Sequence, residues 1–162
     1  MSTSLPAVID VEASGFGRGS YPIEVGVVLE DRTPHCYLVR PESDWDHWDE
    51  EAARVHKIPR EALFTRGLPI AEIAARLNEL LGSRTVYSDG WGYDRTWLAK
   101  LFEEAGSVQR FRLESVRALL DEDQAARWHP TVASVTEELA LERHRASADA
   151  SIVQLAIHRV TA

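Results

Sequence analysis

The sequence predicts an α/β fold in which helices flank a central, mixed five-stranded β-sheet. Three strand patterns come first in the chain, and strand and helix patterns then alternate towards its end. The short connection at 31–34 joins the second and third strand patterns, as expected of antiparallel neighbours. A meander followed by strand–helix units favours a sheet that contains both strand orientations.

The first half of the chain supplies the meander and the first helix. Strands are predicted over residues 7–11, 23–29 and 35–39. A helix is predicted over 70–81, because its isoleucine, alanine and leucine residues recur at helical spacing and Gly82 can end it. These segments account for three of the five expected strands.

The second half of the chain supplies the alternating units. The predicted elements are, in order, a strand at 85–88, a helix at 94–105, a weaker strand at 111–113 running into 116–120, a short helix that begins at a capping box at 134–137, and a last helix at 147–160. No internal repeat, low-complexity tract or interdomain linker interrupts them.

Length and composition are those of an ordinary globular domain. The 162 residues are enough for one domain, 1–162, with a core of its own. No segment approaches the ~18 apolar residues of a membrane span, and the N-terminus lacks a signal-peptide pattern. Because Cys36 is the one cysteine, no internal disulfide can form, and we expect a cytoplasmic protein with no membrane partner.

The net charge restricts the kind of polymer that the chain could bind. A value of −8 argues against a long basic groove that neutralises many duplex phosphates. A short single-stranded end remains compatible with it, because a few arginines, stacking aromatics and bound metal ions could hold such an end. Carboxylates that ligate metal ions also count as negative in the sequence although a bound ion neutralises them.

The strongest local signal is a pair of acids in an apolar strand pattern. Asp10 and Glu12 lie in the segment AVIDVEA, and the two-residue period of a strand sends both to one face. Burying a carboxylate is costly unless it is paired or coordinated, so this pair predicts a divalent-cation site. The same spacing at 49–51 lies in a hydrophilic stretch and predicts only a solvated loop or helix start.

Two later segments carry further candidate ligands. Asp94 opens a predicted helix on its apolar side, where it is either a simple helix cap or a metal ligand facing the sheet edge. His144 and Asp149 are five residues apart, which on one helix would place them roughly 140° apart. We therefore expect His144 in the loop before the last helix, over a metal-bound water, and Asp149 in the first turns.

In this order the acids and the histidine resemble the motifs of the DEDDh 3′-to-5′ exonucleases, the family of polymerase proofreading subunits, RNase T and oligoribonuclease. The first motif is similar to Asp-x-Glu-Thr-Thr-Gly-Leu, and the segment IEVG at 23–26 to Ile-Glu-Ile-Gly. The segment VHKIP at 55–59 resembles isoleucine-histidine-glycine-isoleucine, YDRTWL at 93–98 resembles Phe-Asp-x-x-Phe-Leu, and HRASADA at 144–150 resembles His-Arg-Ala-x-x-Asp-Ala. The resemblance covers most of the chain and implies an RNase H-like fold.

The resemblance also implies a two-metal mechanism. Asp10 would bridge two divalent cations, Glu12 and Asp149 would complete one of them, and Asp94 would serve the other. Oxygen ligands suit Mg²⁺ or Mn²⁺, whereas zinc would prefer cysteine or more histidine. His144, in its neutral form, would take the proton from the attacking water, and nucleoside 5′-monophosphates would leave from a 3′ end.

The same resemblance assigns residues to the substrate. Ser14 and Gly15 would hold the 3′ end by backbone hydrogen bonds, Phe16 would wedge against the terminal base, and His56 is a weaker substrate candidate. The substrate would be the 3′ end of single-stranded DNA or RNA, with short strands favoured. A homodimer is allowed by family analogy, although no apolar stripe demands one.

Departures from the family pattern leave alternatives open. The chain has SDGWG at 88–92 where many members have His-Asn, so Asp89 is an extra ligand, a rival to Asp94 or a turn residue. The glycine-rich segment 15–20 is not a phosphate loop and is better explained as a flap. Trp45, Trp48, Trp91 and Trp128 are either base-stacking or structural. A non-catalytic binding module and a hydrolase of small phosphoesters on the same fold are the two other functions to test.

Overall fold

The computed structural model describes residues 5–141 and 144–162. Its centre is one five-stranded sheet with the spatial order β3-β2-β1-β4-β5. The strands are β1 Val8–Ala13, β2 Pro22–Val28, β3 Pro34–Leu38, β4 Thr85–Ser88 and β5 Arg112–Ser115. Strand β1 therefore lies in the middle of the sheet and carries its acids there.

The sheet is mixed, as the sequence predicts. Strand β1 is antiparallel to β2, and β2 is antiparallel to β3. Strand β4 is parallel to both β1 and β5. The short connection at 31–34 thus joins antiparallel neighbours, and the predicted fold class is confirmed.

Helices cover both faces of the sheet. They are α1 Glu50–His56, α2 Arg60–Arg66, α3 Ile70–Leu81, α4 Trp91–Ala105, α5 Glu122–Ala126, α6 Trp128–Leu139 and α7 Ala146–Thr161, with a short 3-10 helix at Val116–Leu119. One apolar cluster packs α3 and α4 against Ile9 and Val11 of β1. A second cluster packs α6 and α7 against Val8 on the opposite face.

Several element boundaries differ from those predicted. Strand β1 continues to Ala13, so Glu12 is a strand residue. Strand β5 ends at Ser115, two residues after its predicted end. Helix α4 begins at Trp91, three residues before its predicted start at Asp94. The sequence does not predict this first turn as helical, because the turn contains Gly92 and shows no apolar period. The short helices α2 and α5 were not predicted, and α1 was anticipated only as the possible helix start at 49–51, since each helix is too short to show a clear period.

The capping box predicted at 134–137 is wrong. Ser134 lies in the middle of α6, which begins six residues earlier at Trp128. The side chain of Trp128 is completely buried and packs this first turn into the core. Pro130 is tolerated there because the first turn of a helix has no intrahelical acceptor for its N–H groups. The structure does contain a capping box, between Asp121 and Gln124 at the start of α5.

Gly26 allows α7 to approach the sheet closely. A Cβ atom at this position would lie 2.3 Å from the carbonyl carbon of Ala146 and 2.3 Å from the nitrogen of Ser147. Only glycine therefore lets the first turn of α7 lie on β2. This contact brings the N-terminal end of α7 beside the acids of β1.

Within residues 5–141 and 144–162, no helix combines the length and the apolar character that crossing a bilayer requires.

Candidate active site

The two acids of β1 project from one face of the strand. Asp10 and Glu12 point towards α7, while Val11 between them packs into the core with α3 and α4. The carboxyl group of Glu12 lies near those of Asp10 and Asp149 and interacts with both electrostatically. The period of the strand thus gathers acids on one face and keeps apolar residues on the other.

Asp94 reaches the same place from α4. It lies in the first turn of this helix, and its side chain is only 3% exposed. The Ser88 hydroxyl donates a hydrogen bond of 2.5 Å to its Oδ2, and the backbone N–H of Val11 also donates to the carboxylate. Asp94 is therefore fixed against the strand residue that separates Asp10 from Glu12.

His144 and Asp149 lie on either side of the start of α7. His144 precedes the helix, and its backbone N–H donates to both carboxylate oxygens of Asp149 at 3.1 Å. The ligand atoms of Glu12, His144 and Asp149 lie within 4.8 Å of one another. The structure thus places the histidine in the loop and the acid in the first turn, the arrangement expected from their spacing.

The acids repel one another in a poorly solvated place. Burial, followed by the charges of Asp94, Glu12 and Asp149, raises the pKa of Asp10 well above its usual value. Burial and the charges of Asp149 and Glu24 raise the pKa of Glu12 to about 8. Burial outweighs the hydrogen bonds from Ser88 and Val11 and raises the pKa of Asp94 to about 7.

The donor set fits divalent cations. Oδ2 of Asp10 is buried and has no hydrogen-bond partner within residues 5–141 and 144–162, which is costly unless a ligand completes it. Carboxylate oxygens from β1, α4 and α7 line one cleft, and an oxygen-rich set suits hard cations. A bound cation would satisfy the orphaned atom and remove the mutual repulsion at once.

The acids form the floor of a cleft of about 330 Å³. Its lining includes Asp10, Glu12, Asp94, His144, Asp149, Gly15, Phe16 and His56. The structure therefore brings together every candidate site residue predicted from the sequence except Ser14. The walls are largely apolar, with Phe16 and Tyr93 on one side and Ala52 and Val55 of α1 on another.

Ser14 stands behind the cleft instead of lining it. Its side chain is completely buried, and its Oγ accepts a hydrogen bond from the N–H of Tyr21 and shares one of 2.8 Å with Nδ1 of His47. Its backbone N–H donates to the carbonyl of Tyr21, and its carbonyl accepts from the N–H of Asp49. All of these contacts are internal, so Ser14 fixes the backbone on which Gly15 and Phe16 are mounted.

His56 lies in the cleft wall with a defined orientation. It is 3% exposed, and its Nδ1 accepts a hydrogen bond of 2.9 Å from the N–H of Ile58. Burial lowers the pKa of this imidazole, so the ring is neutral and the proton resides on Nε2. Nε2 is buried and has no hydrogen-bond partner among the residues that the structure describes. It is thus a donor available to an acceptor atom of a bound molecule.

The structure bears on some of the alternatives left open by the sequence. Asp89 accepts a hydrogen bond from the indole N–H of Trp128, whereas Asp94 lines the cleft. Trp45 and Trp128 are buried and cannot stack on a base, and Trp91 donates its indole N–H to the carbonyl of Leu113.

Tyr93 is the exposed aromatic that sequence reasoning missed. It is 59% exposed, makes an edge contact with Phe16 at 5.0 Å between ring centroids, and stacks on Trp97 at 5.7 Å. Its position directly before Asp94 and four residues before Trp97 was the available signal, because that spacing places it on Trp97 at the mouth of the site.

Comparison with known proteins supports the fold. No protein-family model matches the sequence, and no curated protein matches it significantly. Solved structures of Exonuclease I match nearly the whole chain. The E. coli enzyme with a dA16 oligonucleotide gives a TM-score of 0.72 at 16% identity over 98% of this chain. The zinc-bound form of the E. coli enzyme with single-stranded DNA gives 0.70 at 13% identity over 98%.

The chain has an RNase H-like fold, which it shares with the matched part of the Exonuclease I structures. The resemblance predicted from the motifs is therefore confirmed at the level of the fold. The chain covers 41% of the length of both of these Exonuclease I chains. At identities of 13–16%, the likeness extends to architecture, and activity must be argued from the site itself.

Proposed function

We propose that this chain is a metal-dependent 3′-to-5′ exonuclease that shortens single-stranded DNA or RNA and releases nucleoside 5′-monophosphates. The observation that carries the proposal is the convergence of Asp10, Glu12, Asp94 and Asp149 with His144 in one cleft. An exposed aromatic pair at the mouth of the cleft supports a nucleobase as part of the ligand. The whole chain, 1–162, would form this one catalytic domain.

The acids would hold two divalent cations, Mg²⁺ or Mn²⁺. Asp10 would contact both ions, Glu12 and Asp149 would complete one, and Asp94 would serve the other. When bound, the ions would lower the pKa of the attacking water and neutralise charge on the phosphate and the leaving oxygen. The orphaned Oδ2 of Asp10 and the raised pKa values of Asp10, Glu12 and Asp94 support this assignment.

His144 would act as the general base. Its side chain lies on the exposed side of the acids and lines the cleft, so a ring nitrogen can take a proton from water and return it to solvent. The hydrogen bonds from its backbone N–H to Asp149 tie the base to a proposed metal ligand.

The cleft walls would bind the terminal nucleotide. Phe16 and Tyr93 would stack against its base, and Val55, which is 47% exposed, would border it from α1. His56 would donate from Nε2 to an oxygen of the terminal nucleotide, since no described protein atom accepts that proton. Gly15 would contribute backbone groups, while Ser14 would support it from behind.

The decisive experiment is digestion of 5′-labelled single-stranded DNA and RNA with Mg²⁺, Mn²⁺ or EDTA. Asp10→Asn and His144→Asn should each abolish a ladder that shortens from the 3′ end. Asp44→Asn and His129→Asn make the same chemical changes at exposed positions outside the cleft and should retain it.

Two other results would replace the proposal. Hydrolysis of a mononucleotide phosphodiester analogue without shortening of oligomers would indicate a small-phosphoester hydrolase. Oligonucleotide binding without any cleavage by the folded, metal-loaded protein would indicate a binding module. The same digestions compare DNA with RNA as substrates. Cytoplasmic location and homodimerisation stay predictions.

A further inference from the structure

Another buried carboxylate, that of Glu24, lies beside the proposed site and has none of the roles proposed there. Glu24 is in β2, where it is directly opposite Glu12 in the register of the two strands, and its side chain is completely buried. Its carboxylate accepts hydrogen bonds from Arg145 at 2.7 Å from Nη2 and 3.2 Å from Nε, and from the backbone N–H of Ala146 at 2.7 Å. All of these donors come from the two residues that follow His144.

The backbone at His144 needs such support. Its φ is +64°, in the left-handed region that residues with a side chain rarely adopt. Strained conformations of this kind persist when the surrounding structure fixes the chain on both sides. At His144 itself, the backbone N–H donates a hydrogen bond to Asp149. Just after it in the chain, Arg145 and Ala146 donate hydrogen bonds to Glu24.

The strand also provides the space for this contact. Glu24 and Gly26 are two residues apart in β2 and therefore share one face of the sheet. Because Gly26 has no Cβ, the Ala146–Ser147 backbone can approach β2, which brings the Ala146 N–H within reach of Glu24. The histidine loop is thus tied to the strand adjacent to the one that carries Asp10 and Glu12.

We propose that Glu24 is a positioning residue, because its hydrogen bonds with Arg145 and Ala146 fix the position of His144 relative to the acids. This inference rests on the exonuclease function proposed above. Glu24 does not touch the reacting atoms in this role. It acts through the backbone that carries the general base, so its loss should slow the chemical step more than it weakens substrate binding.

Glu24→Gln is the most informative variant. Glutamine retains an oxygen that can accept from Ala146 but loses the charged, two-point contact with Arg145. The Arg145 side chain is 41% exposed, so its charge can turn to water in this variant instead of remaining buried. Glu24→Gln should therefore fold, and Arg145→Lys provides a second variant in which the charge pair is retained but the fork is lost.

The kinetic test separates positioning from general damage. Glu24→Gln should lower kcat about tenfold to a hundredfold with KM within about twofold, and Arg145→Lys should lose less. The double variant Glu24→Gln with Arg145→Gln should lose no more than the worse of its two single variants, because both residues act through one contact. Arg159→Gln is the matched control, since it breaks the α7 ion pair with Glu138 at the far end of the helix.

An exchange measurement tests the inference without any activity. In wild type, the amide protons of His144 and Ala146 should exchange slowly by NMR, and Glu24→Gln should accelerate both at least about tenfold while Arg159→Gln leaves them unchanged. If wild type proves inactive on oligonucleotides, the proposed function fails and this measurement still decides the positioning role.

Three results would overturn the inference. They are a wild-type kcat in Glu24→Gln, an unchanged exchange rate at His144, and a kcat deficit that disappears at a lower temperature where the variant is fully folded.

Discussion

The buried carboxylate of Glu24 on β2 lies beside the acid cluster around Asp10, and the two regions differ in how their charges are compensated. Glu24 on β2 is completely buried and paired with the Arg145 guanidinium and a backbone N–H. Directly across the strand pair, Glu12 belongs to a group of facing acids in which the pKa values of Asp10, Glu12 and Asp94 are raised. The chain thus neutralises Glu24 with its own cation, whereas no cationic side chain within residues 5–141 and 144–162 is recorded against Asp10, Glu12 or Asp94.

This difference separates a structural charge from a chemical one. An internal ion pair at Glu24 costs desolvation but ties β2 to the start of α7. An internal cation at Asp10 would occupy the position that a metal ion needs. The uncompensated repulsion is therefore a stability cost of the site, and substitutions in the two regions should change stability in opposite directions.

The largest expected effect is on activity. Asp10→Asn should reduce exonuclease activity by about 10³-fold or more, because the amide is a poor ligand at the centre of the acid set. The same variant should raise the melting temperature of the metal-free protein above that of wild type, since it removes a buried repulsive charge. Scanning calorimetry in EDTA, beside the oligonucleotide assay, measures both effects. A metal-free variant less stable than wild type would contradict the comparison.

The next effect has the opposite sign in stability. Arg145→Gln should destabilise the protein by about 3 kcal/mol, because Glu24 would then be a buried carboxylate without its cation. Urea unfolding of Arg145→Gln and of the control Arg76→Gln measures this. Arg76 pairs with Glu72 on the surface of α3, so its loss should cost less than about 0.5 kcal/mol. Equal losses in the two variants would show that burial does not distinguish the pairs.

A smaller effect concerns substrate affinity. Phe16→Ala should raise KM for oligonucleotides about tenfold with little change in kcat, because base stacking on an aromatic ring contributes about 1–3 kcal/mol. Phe64→Ala removes an aromatic ring that is 49% exposed and lies outside the cleft lining, and should leave KM unchanged. Equal KM values for wild type and Phe16→Ala would exclude Phe16 from the base site.

The smallest expected effect is a pH dependence of the metal-free protein. The pKa of Glu12 rises from 4.5 to about 8 and that of Asp94 from 3.8 to about 7, so the folded state binds more protons than the unfolded state between these limits. The associated stability is present below pH 4 and is lost as the pH rises through 7 and 8. The melting temperature in EDTA should therefore fall by at least about 3 °C from pH 5 to pH 8.5. A flat or rising profile would contradict the raised pKa values.

The sequence predicted the sheet and the position of the acids for clear physical reasons. The two-residue period of β1 fixed the shared face of Asp10 and Glu12, and the spacing of His144 from Asp149 excluded one continuous helix. The helix at Ile70–Leu81 matches its prediction because its apolar period is long and Gly82 ends it. These features depend on local repeats that any reader of the sequence can count.

Other features depend on contacts between distant parts of the chain. Ser14 bonds to His47, thirty-three positions away, and so supports the site instead of lining it. The partnership of Glu24 with Arg145 joins residues 121 positions apart. The aromatic role of Tyr93 depends on Phe16, which the sequence places on another element. No local pattern reveals such pairs, because tertiary packing decides them.

The acids around Asp10 are proposed to bind two divalent cations. Calorimetric titration of Mn²⁺ into the metal-free protein at pH 7, in two buffers of different ionisation enthalpy, tests it directly. Two ions should bind per chain. Protons should be released on binding, because the pKa values of Asp10, Glu12 and Asp94 are raised. Asp10→Asn should bind the ions more weakly. Absence of binding, or binding without proton release and unchanged by Asp10→Asn, would contradict it.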